Sequence, residues 1–423
     1  MRQNIFNRRN FIKAAGIGSL ASFGTGMLPD TTISAIKSAE PMKITKIEAL
    51  RIRPGLKVEG KGIPWVWIRL HTDKGIVGIG ETYPFTEGQI GALKDIAPRI
   101  IGKDPRNIER IWRDIFSRMS MYGAGGGDMR ILTAVNIAQW DILGKALEAP
   151  IYSLLGGKSQ QKLRVYNTYL DTWSSINNWE MDKDLDKIVN FLLERGIKGI
   201  KIYPFMIGDG NYISPADIEK ELRWLKGIRD IAGNEMDIVL DIWGHWNLPC
   251  AMKICKACEP FNPLYVEDIM LMSNPQSYAA LAQETSVPIC MSETMATRFE
   301  YREYFESKAL DVVMFDLTWC GGISEAKKIA DMADTYFIPI VPHTGGGPVL
   351  WLSSIHVATS ATNFAIMESV YPFYTHSWPY FIKNVPVPVN GYVTPPEEPG
   401  LGLEFREEPF KNGDIIVETI AEL

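Results

Sequence analysis

The chain has 423 residues, 46% hydrophobic and 22% charged, and 44 Lys and Arg against 50 Asp and Glu leave a formal net charge of −6. That length calls for one large barrel or two to three domains around a sizeable core, and the apolar share excludes wholesale disorder. The mild acidity excludes the basic face a nucleic-acid partner needs, five cysteines do not make a disulfide framework, and no apolar run is long enough to span a membrane.

Arg8-Arg9-Asn10-Phe11-Ile12-Lys13 precede a weakly apolar stretch rich in Gly and Ala, Ala14 to Leu28, which exits at Pro29-Asp30. The pattern resembles a twin-arginine export signal, with a frayed N-terminal helix as the plainer alternative. It predicts an exported, periplasmic protein with no membrane insertion once the signal is removed. Residues 1–41 are set aside as signal and linker.

From Ile44 to Ile52 polar and apolar side chains alternate, as in a strand with one buried face. A loop punctuated by Gly and Pro follows from Pro54 to Pro64. Trp65–Leu70, a turn at Thr72-Asp73-Lys74-Gly75 and Ile76–Glu81 complete a small antiparallel meander. Helical periodicity covers Gly88–Ile101, Asn107–Ser120 and Met129–Glu148, the last ending before Pro150. Three consecutive glycines in Tyr122–Asp128 predict a lid-like loop; the strand, Lys and Ser/Thr of a phosphate loop are missing there.

After Leu154-Leu155-Gly156-Gly157, short β-branched segments alternate with helical ones: Arg164–Tyr166, Gly199–Ile202, Asp237–Leu240, Leu264–Val266, Val287–Ile289, Asp311–Met314, Phe337–Val341 and Asn363–Met367. Such units, roughly 25–35 residues apart, predict an α/β fold built as a parallel barrel. A doubly wound sheet competes, but no Gly-rich dinucleotide fingerprint follows the first strand. The tail after Thr375 is rich in Pro and Gly and is expected to pack back on the meander.

In such barrels the working groups stand just beyond the C-terminal ends of the strands. Strand three ends at Asp241, strand four at Glu267 and strand five at Glu293, each 26 residues after the last. Three carboxylates projected into one volume repel and raise one another's pKa values. A hard divalent cation such as Mg²⁺ resolves the conflict and keeps positions open for water and substrate oxygens. The alternative is that each acid caps the helix that follows it. Strand two ends in Lys201-Ile202-Tyr203, with Lys201 and Tyr203 on one face. Asp316 ends strand six and His343 strand seven, so the acid can orient the imidazole and raise its basicity. A loop histidine followed by glycines is the plainer account of His343. Glu368, at the end of strand eight, is a candidate protonated donor to a developing oxyanion.

These residues, with Val77-Gly78-Ile79-Gly80-Glu81, Ala138-Gln139-Trp140-Asp141-Ile142-Leu143-Gly144-Lys145, Val266-Glu267-Asp268, Gly321-Gly322-Ile323-Ser324-Glu325-Ala326 and Pro399-Gly400-Leu401-Gly402, resemble the enolase superfamily, in its mandelate racemase/muconate lactonizing enzyme-like subgroup. The resemblance runs from about Lys43 to the C-terminus. It implies a (β/α)7β TIM-like barrel (161–375) under a capping α+β domain (42–160), the cap being completed by residues 376–423. It further implies Mg²⁺ on Asp241, Glu267 and Glu293, a His343–Asp316 dyad, and two cap loops, Pro54–Pro64 and Tyr122–Asp128, closing over the site. The shared chemistry is abstraction of a proton α to a carboxylate, with the enediolate stabilised by metal and by donors such as Glu368.

Two departures bear on the subtype. The subgroup commonly has Lys-x-Lys on strand two, with the second Lys as base, where this chain has Tyr203; a racemase, which needs a base on both faces, loses ground. Two residues past the strand-three ligand stands Trp243 rather than Asn or His, with His245 two further on. His245 is either a donor to a leaving hydroxide or a loop histidine beside Trp246. Cys250, Cys255 and Cys258 are expected to be buried small side chains, not a metal knuckle. Trp243, Trp246, Trp319 and Tyr203 suit a sugar ring or ordinary rim packing, and His71, His356 and His376 have no evident role. The expectation is a sugar-acid dehydratase in which His343 takes the α-proton of an aldonate. Hydroxide then leaves with help from His245, Tyr203 or Lys201, giving a 2-keto-3-deoxy acid. A cycloisomerase, or a racemase or epimerase, of a lactone or anhydro sugar acid is the alternative, and a non-catalytic sugar-acid binding protein a remoter one. The family also implies a homo-oligomer.

Overall fold

The computed structural model describes residues 40–58, 61–62, 65–84, 86–122, 125–169 and 179–423. The export signal expected in residues 1–41 lies outside them, apart from Glu40 and Pro41. So do parts of both expected lid loops, residues 59–60, 63–64 and 123–124.

Alternation in the first strands produces the cap sheet. Ile44–Ile52 pairs antiparallel with Val66–Thr72, which pairs with Val77–Thr82. The C-terminal strand Ile415–Glu422 adds to the free side of Ile44–Ile52, so both ends of the described chain meet in one four-stranded sheet. Ile44, Ile47, Ala49, Ile68 and Leu70 are buried against the helices Thr86–Ile100, Ile108–Met119 and Gly126–Ala146. The third strand lies close against the last helix: a Cβ at Gly80 would stand 1.9 Å from the Ala134 carbonyl oxygen, so only glycine fits.

The barrel strands run parallel in the spatial order six, five, four, three, two, one, eight. They are Val312–Val313, Ile289–Met291, Tyr265–Glu267, Asp237–Asp241, Gly199–Ile202, Leu163–Thr168 and Met367–Ser369. Tyr166, Val239 and Tyr265 on these strands, with Met314 and Val341 beside them, form one packed cluster. The seventh strand, expected over Phe337–Val341, shrinks to single bridges of Ile340 with Val313 and with Phe364, and of His343 with Asp316. Pro339 and Pro342 carry no N–H, so no continuous ladder can form there. The bridges still close the ring between strands six and eight.

The cap is seated on the barrel by a polar latch. Asn136 and Trp140 of the long cap helix both donate to Ser324 Oγ, at 3.0 and 2.9 Å, and the Ser324 N–H donates back to Asn136 Oδ1. Trp112 donates to the Gly321 carbonyl at 3.0 Å. The helix Leu248–Cys258 keeps Cys250, Cys255 and Cys258 as buried free thiols. Among the described residues no helix is long and apolar enough to cross a membrane.

Candidate active site

The barrel mouth holds a cavity of about 480 Å³. Tyr83 from the cap and Tyr203, Trp243 and Trp319 from the barrel supply aromatic walls; Thr168, Asp268, Glu293, His343 and Glu368 supply polar groups.

Asp316 and His343 meet as their strand positions require. His343 Nδ1 lies 2.8 Å from Asp316 Oδ2, which leaves Nε2 directed into the cavity. There it contacts Glu293 Oε2 at 2.7 Å and Glu368 Oε2 at 3.4 Å. Burial opposes a charged imidazole, but Glu293 and Glu368, with the hydrogen bonds to Asp316 and Glu293, outweigh it and hold His343 well above its usual range.

Lys201 is fully buried, and its Nζ stands 3.1 Å from Asp241 Oδ2, 3.2 Å from both oxygens of Glu267 and 3.1 Å from Glu368 Oε1. Burial alone would favour the neutral amine; the attraction of Glu267, Glu368 and Asp241 prevails and keeps it charged. Burial pushes the Asp241 carboxyl up to about 6, with Lys201 pulling the other way, and burial with Asp241 repulsion raises Glu267 well above the carboxylate range.

Asp241, Glu267 and Glu293 end three neighbouring strands, although among the described residues no group of three or more His, Cys, Asp or Glu is already gathered as a metal site. Lys201 stands between Asp241 and Glu267, and Glu293 is engaged with His343. Glu368 is not a protonated donor. Burial would raise it, but Lys201, His343, the Thr168 hydroxyl and the Thr344 N–H bring it down to about 2, so it accepts. His245 lies outside the cavity lining: its Nε2 donates to the Ile207 carbonyl at 2.8 Å and its ring stands edge-on to Trp246. It is the loop histidine of the plainer alternative.

The donor set still fits a hard divalent cation. Asp241, Glu267, Glu293, Asp268 and Glu368 outnumber the positive charges of Lys201 and His343, and the buried Asp241 Oδ2 has the Lys201 ammonium alone beside it. Asp268, which the sequence offered only within a motif, lines the cavity at φ +47 with Oδ1 lacking a partner. Trp243, also in the left-handed region at φ +50, is two-thirds exposed, and its ring stands edge-on to Tyr203. Backbone strain of this kind gathers at ligand sites. Trp246 does not line the cavity; it is buried and donates to the Phe205 carbonyl. Tyr83 went unnoticed because no local pattern marks it: its partner Asp316 is 233 residues away.

Comparison with known proteins agrees with this architecture. Residues 184–409 match the enolase C-terminal domain-like family, and residues 60–156 the mandelate racemase/muconate lactonizing enzyme N-terminal domain. The chain therefore belongs to the enolase superfamily, in its mandelate racemase-like group. A D-galactonate dehydratase of Variovorax paradoxus is 31% identical over 379 residues, 87% of this chain and 93% of that one. One of Ralstonia nicotianae is 30% identical over 382 residues, 86% and 93%. Among solved structures, an enolase of the mandelate racemase subgroup from Agrobacterium tumefaciens superposes with a TM-score of 0.81 at 35% identity, covering 89% of this chain and 98% of its own. A member of the enolase superfamily from Salmonella Typhimurium reaches 0.84 at 28% identity, covering 90% and 100%.

Proposed function

We propose that this protein is a Mg²⁺-dependent sugar-acid dehydratase that acts on an aldonate in the periplasm, after export through its Arg8-Arg9 signal. The observation that carries the reading is the His343–Asp316 pair, with Nε2 directed into an aromatic-walled cavity. The likeness to two D-galactonate dehydratases supports the same chemistry.

An α-proton beside a carboxylate is only weakly acidic, because the electron pair left behind must spread into a group already charged. Asp316 keeps the imidazole oriented, and once neutral, His343 takes that proton on Nε2. Asp241, Glu267 and Glu293 would hold the Mg²⁺, which would supply positive charge for the charge that builds on the substrate carboxylate. Lys201 adds a second, fixed positive charge behind the cavity wall. The C–H electron pair forms a C=C bond, the β C–O bond breaks, and the departing hydroxide needs a proton. With His245 outside the cavity and Lys201 held behind its wall by three carboxylates, Tyr203 is the expected donor that lines it. Burial raises the Tyr203 phenol well above its usual range, so it enters the step protonated. Trp243 and Trp319 offer flat faces to the C–H edges of the sugar chain. The enol product tautomerises to a 2-keto-3-deoxy acid.

The test is a panel of aldonates, galactonate included, assayed for 2-keto acid with Mg²⁺ and with chelator. Turnover with loss of water is expected only with the metal, and His343→Asn should lower it by about 100- to 10,000-fold. A keto product formed without water loss would move the protein to the cycloisomerases. Turnover indifferent to His343→Asn would remove the dyad from the chemistry.

A further inference from the structure

Tyr83 follows the third cap strand, Val77–Thr82, and is buried, yet its hydroxyl reaches the barrel's catalytic pair. It donates to Asp316 Oδ2 at 2.8 Å, the oxygen that also faces His343 Nδ1. The other oxygen, Oδ1, accepts the Thr318 N–H and the Thr318 hydroxyl, both at 2.6 Å. The Asp316 carboxylate is thus held on both edges, one edge by its own strand end and the other by the cap.

Tyr83 is itself fixed. Its carbonyl accepts Trp319 Nε1 at 3.0 Å and an Arg130 N–H at 2.7 Å. The Arg130 guanidinium lies 4.1 Å over the Trp319 ring, and the Tyr83 and Trp319 rings pack with centroids 5.0 Å apart. Packing alone would be satisfied by phenylalanine. A phenol directed at a buried carboxylate does something a phenyl ring cannot: it fixes the rotation of that carboxylate about its own side chain.

We propose that Tyr83 is a positioning residue for the His343–Asp316 pair, supplied by the cap so that alignment of the base depends on how the cap sits on the barrel. The proposal rests on the reading of His343 as the base. Without the phenol, Oδ2 keeps only the imidazole as its partner, and the carboxylate, still held at Oδ1 by Thr318, is less firmly fixed on the edge that orients His343. A misplacement of about 1 Å at a reacting group costs on the order of 100-fold in rate.

The experiment uses the whole chain with Tyr83→Phe, followed by kinetics and by nitrogen-15 labelling of its five histidines. His343→Asn assigns the His343 imidazole signal. The expected result is a kcat for α-proton exchange in heavy water about 10- to 100-fold lower, with KM within about twofold. The His343 Nδ1–H resonance should shift while the melting temperature stays close to that of the parent. Unchanged kcat with an unchanged resonance overturns the proposal. So does a rise in KM alone, which would make Tyr83 a cavity wall and nothing more. If the parent exchanges no α-proton from any sugar acid, the dehydratase reading fails, and the imidazole resonance alone decides Tyr83: a shift supports it, no shift overturns it. Should Tyr83→Phe not fold, Arg130→Gln removes one of the two donors that fix the Tyr83 carbonyl and is judged on the same resonance.

Discussion

His343 leaves no room beside it. A Cβ added at Gly345 would stand 2.8 Å from His343 Nε2 and 3.1 Å from Cε1, so the imidazole would have to move. Gly345→Ala should therefore lower α-proton exchange by on the order of 100-fold with little loss of stability, read by exchange kinetics beside a thermal melt. A melt that collapses while the rate per folded molecule holds would refute this. At this scale the sequence was informative about which side chains stand at strand ends and silent about where they point. Asp316 and His343 share a mouth because each ends a neighbouring strand, a matter of spacing along the chain. His245 stands only four residues past Asp241, but its ring direction is set by the Ile207 carbonyl. Glu368 was legible as a strand-end acid; its charge was not, because that depends on Lys201 and His343 beside it.

The helix Pro348–Ser360 shows how one element ties the cap to the loop that bears the base. Its first N–H groups have no partners within the helix, and Glu81 of the cap sheet takes them up. The carboxylate accepts from the backbone N–H groups of Gly347, Val349 and Leu350 at 3.0, 3.1 and 3.2 Å, and from Trp67 Nε1 at 2.8 Å. Burial pushes Glu81 up to about 7 against the pull of those donors. Glu81→Gln puts an NH₂ group among N–H donors and should cost about 2 kcal/mol, measured as a lower urea midpoint. An unchanged midpoint would show the contacts to be incidental. The Gly-x-Gly-Glu pattern was visible beforehand, but its meaning was not: Glu81 meets its backbone partners 266 to 269 residues further on. The seventh strand failed for a local cause that was legible all along, the two prolines that interrupt its ladder.

Across the molecule, His356 joins three separate stretches of chain. The Tyr152 N–H donates to its Nδ1 at 3.3 Å, and its Nε2 donates to the Leu401 carbonyl at 3.3 Å. This uses the neutral ring fully, and a second ring proton would point at a donor. Burial holds His356 down to about 4, from 6.5. Between those values the unfolded chain binds a proton that the folded chain refuses, so stability falls as pH drops through that window. The loss should reach about 3 kcal/mol near pH 4, and His356→Gln should flatten the slope of unfolding free energy against pH. An identical slope in the variant would assign the acid sensitivity to other groups.

By itself, the sequence determined the alternation of short strands with helices, the barrel-and-cap architecture, and the set of strand-end side chains gathered at one mouth. The alternation and the strand-end set follow from periodicity and spacing, which are properties of neighbouring residues; the cap over the barrel was implied by the family resemblance. Only the tertiary structure decided that Lys201 lies between Asp241 and Glu267, that Glu293 engages His343, and that Tyr83 reaches Asp316. Side-chain direction and ionisation depend on charges and donors brought together by folding from distant parts of the chain, and no local pattern encodes them.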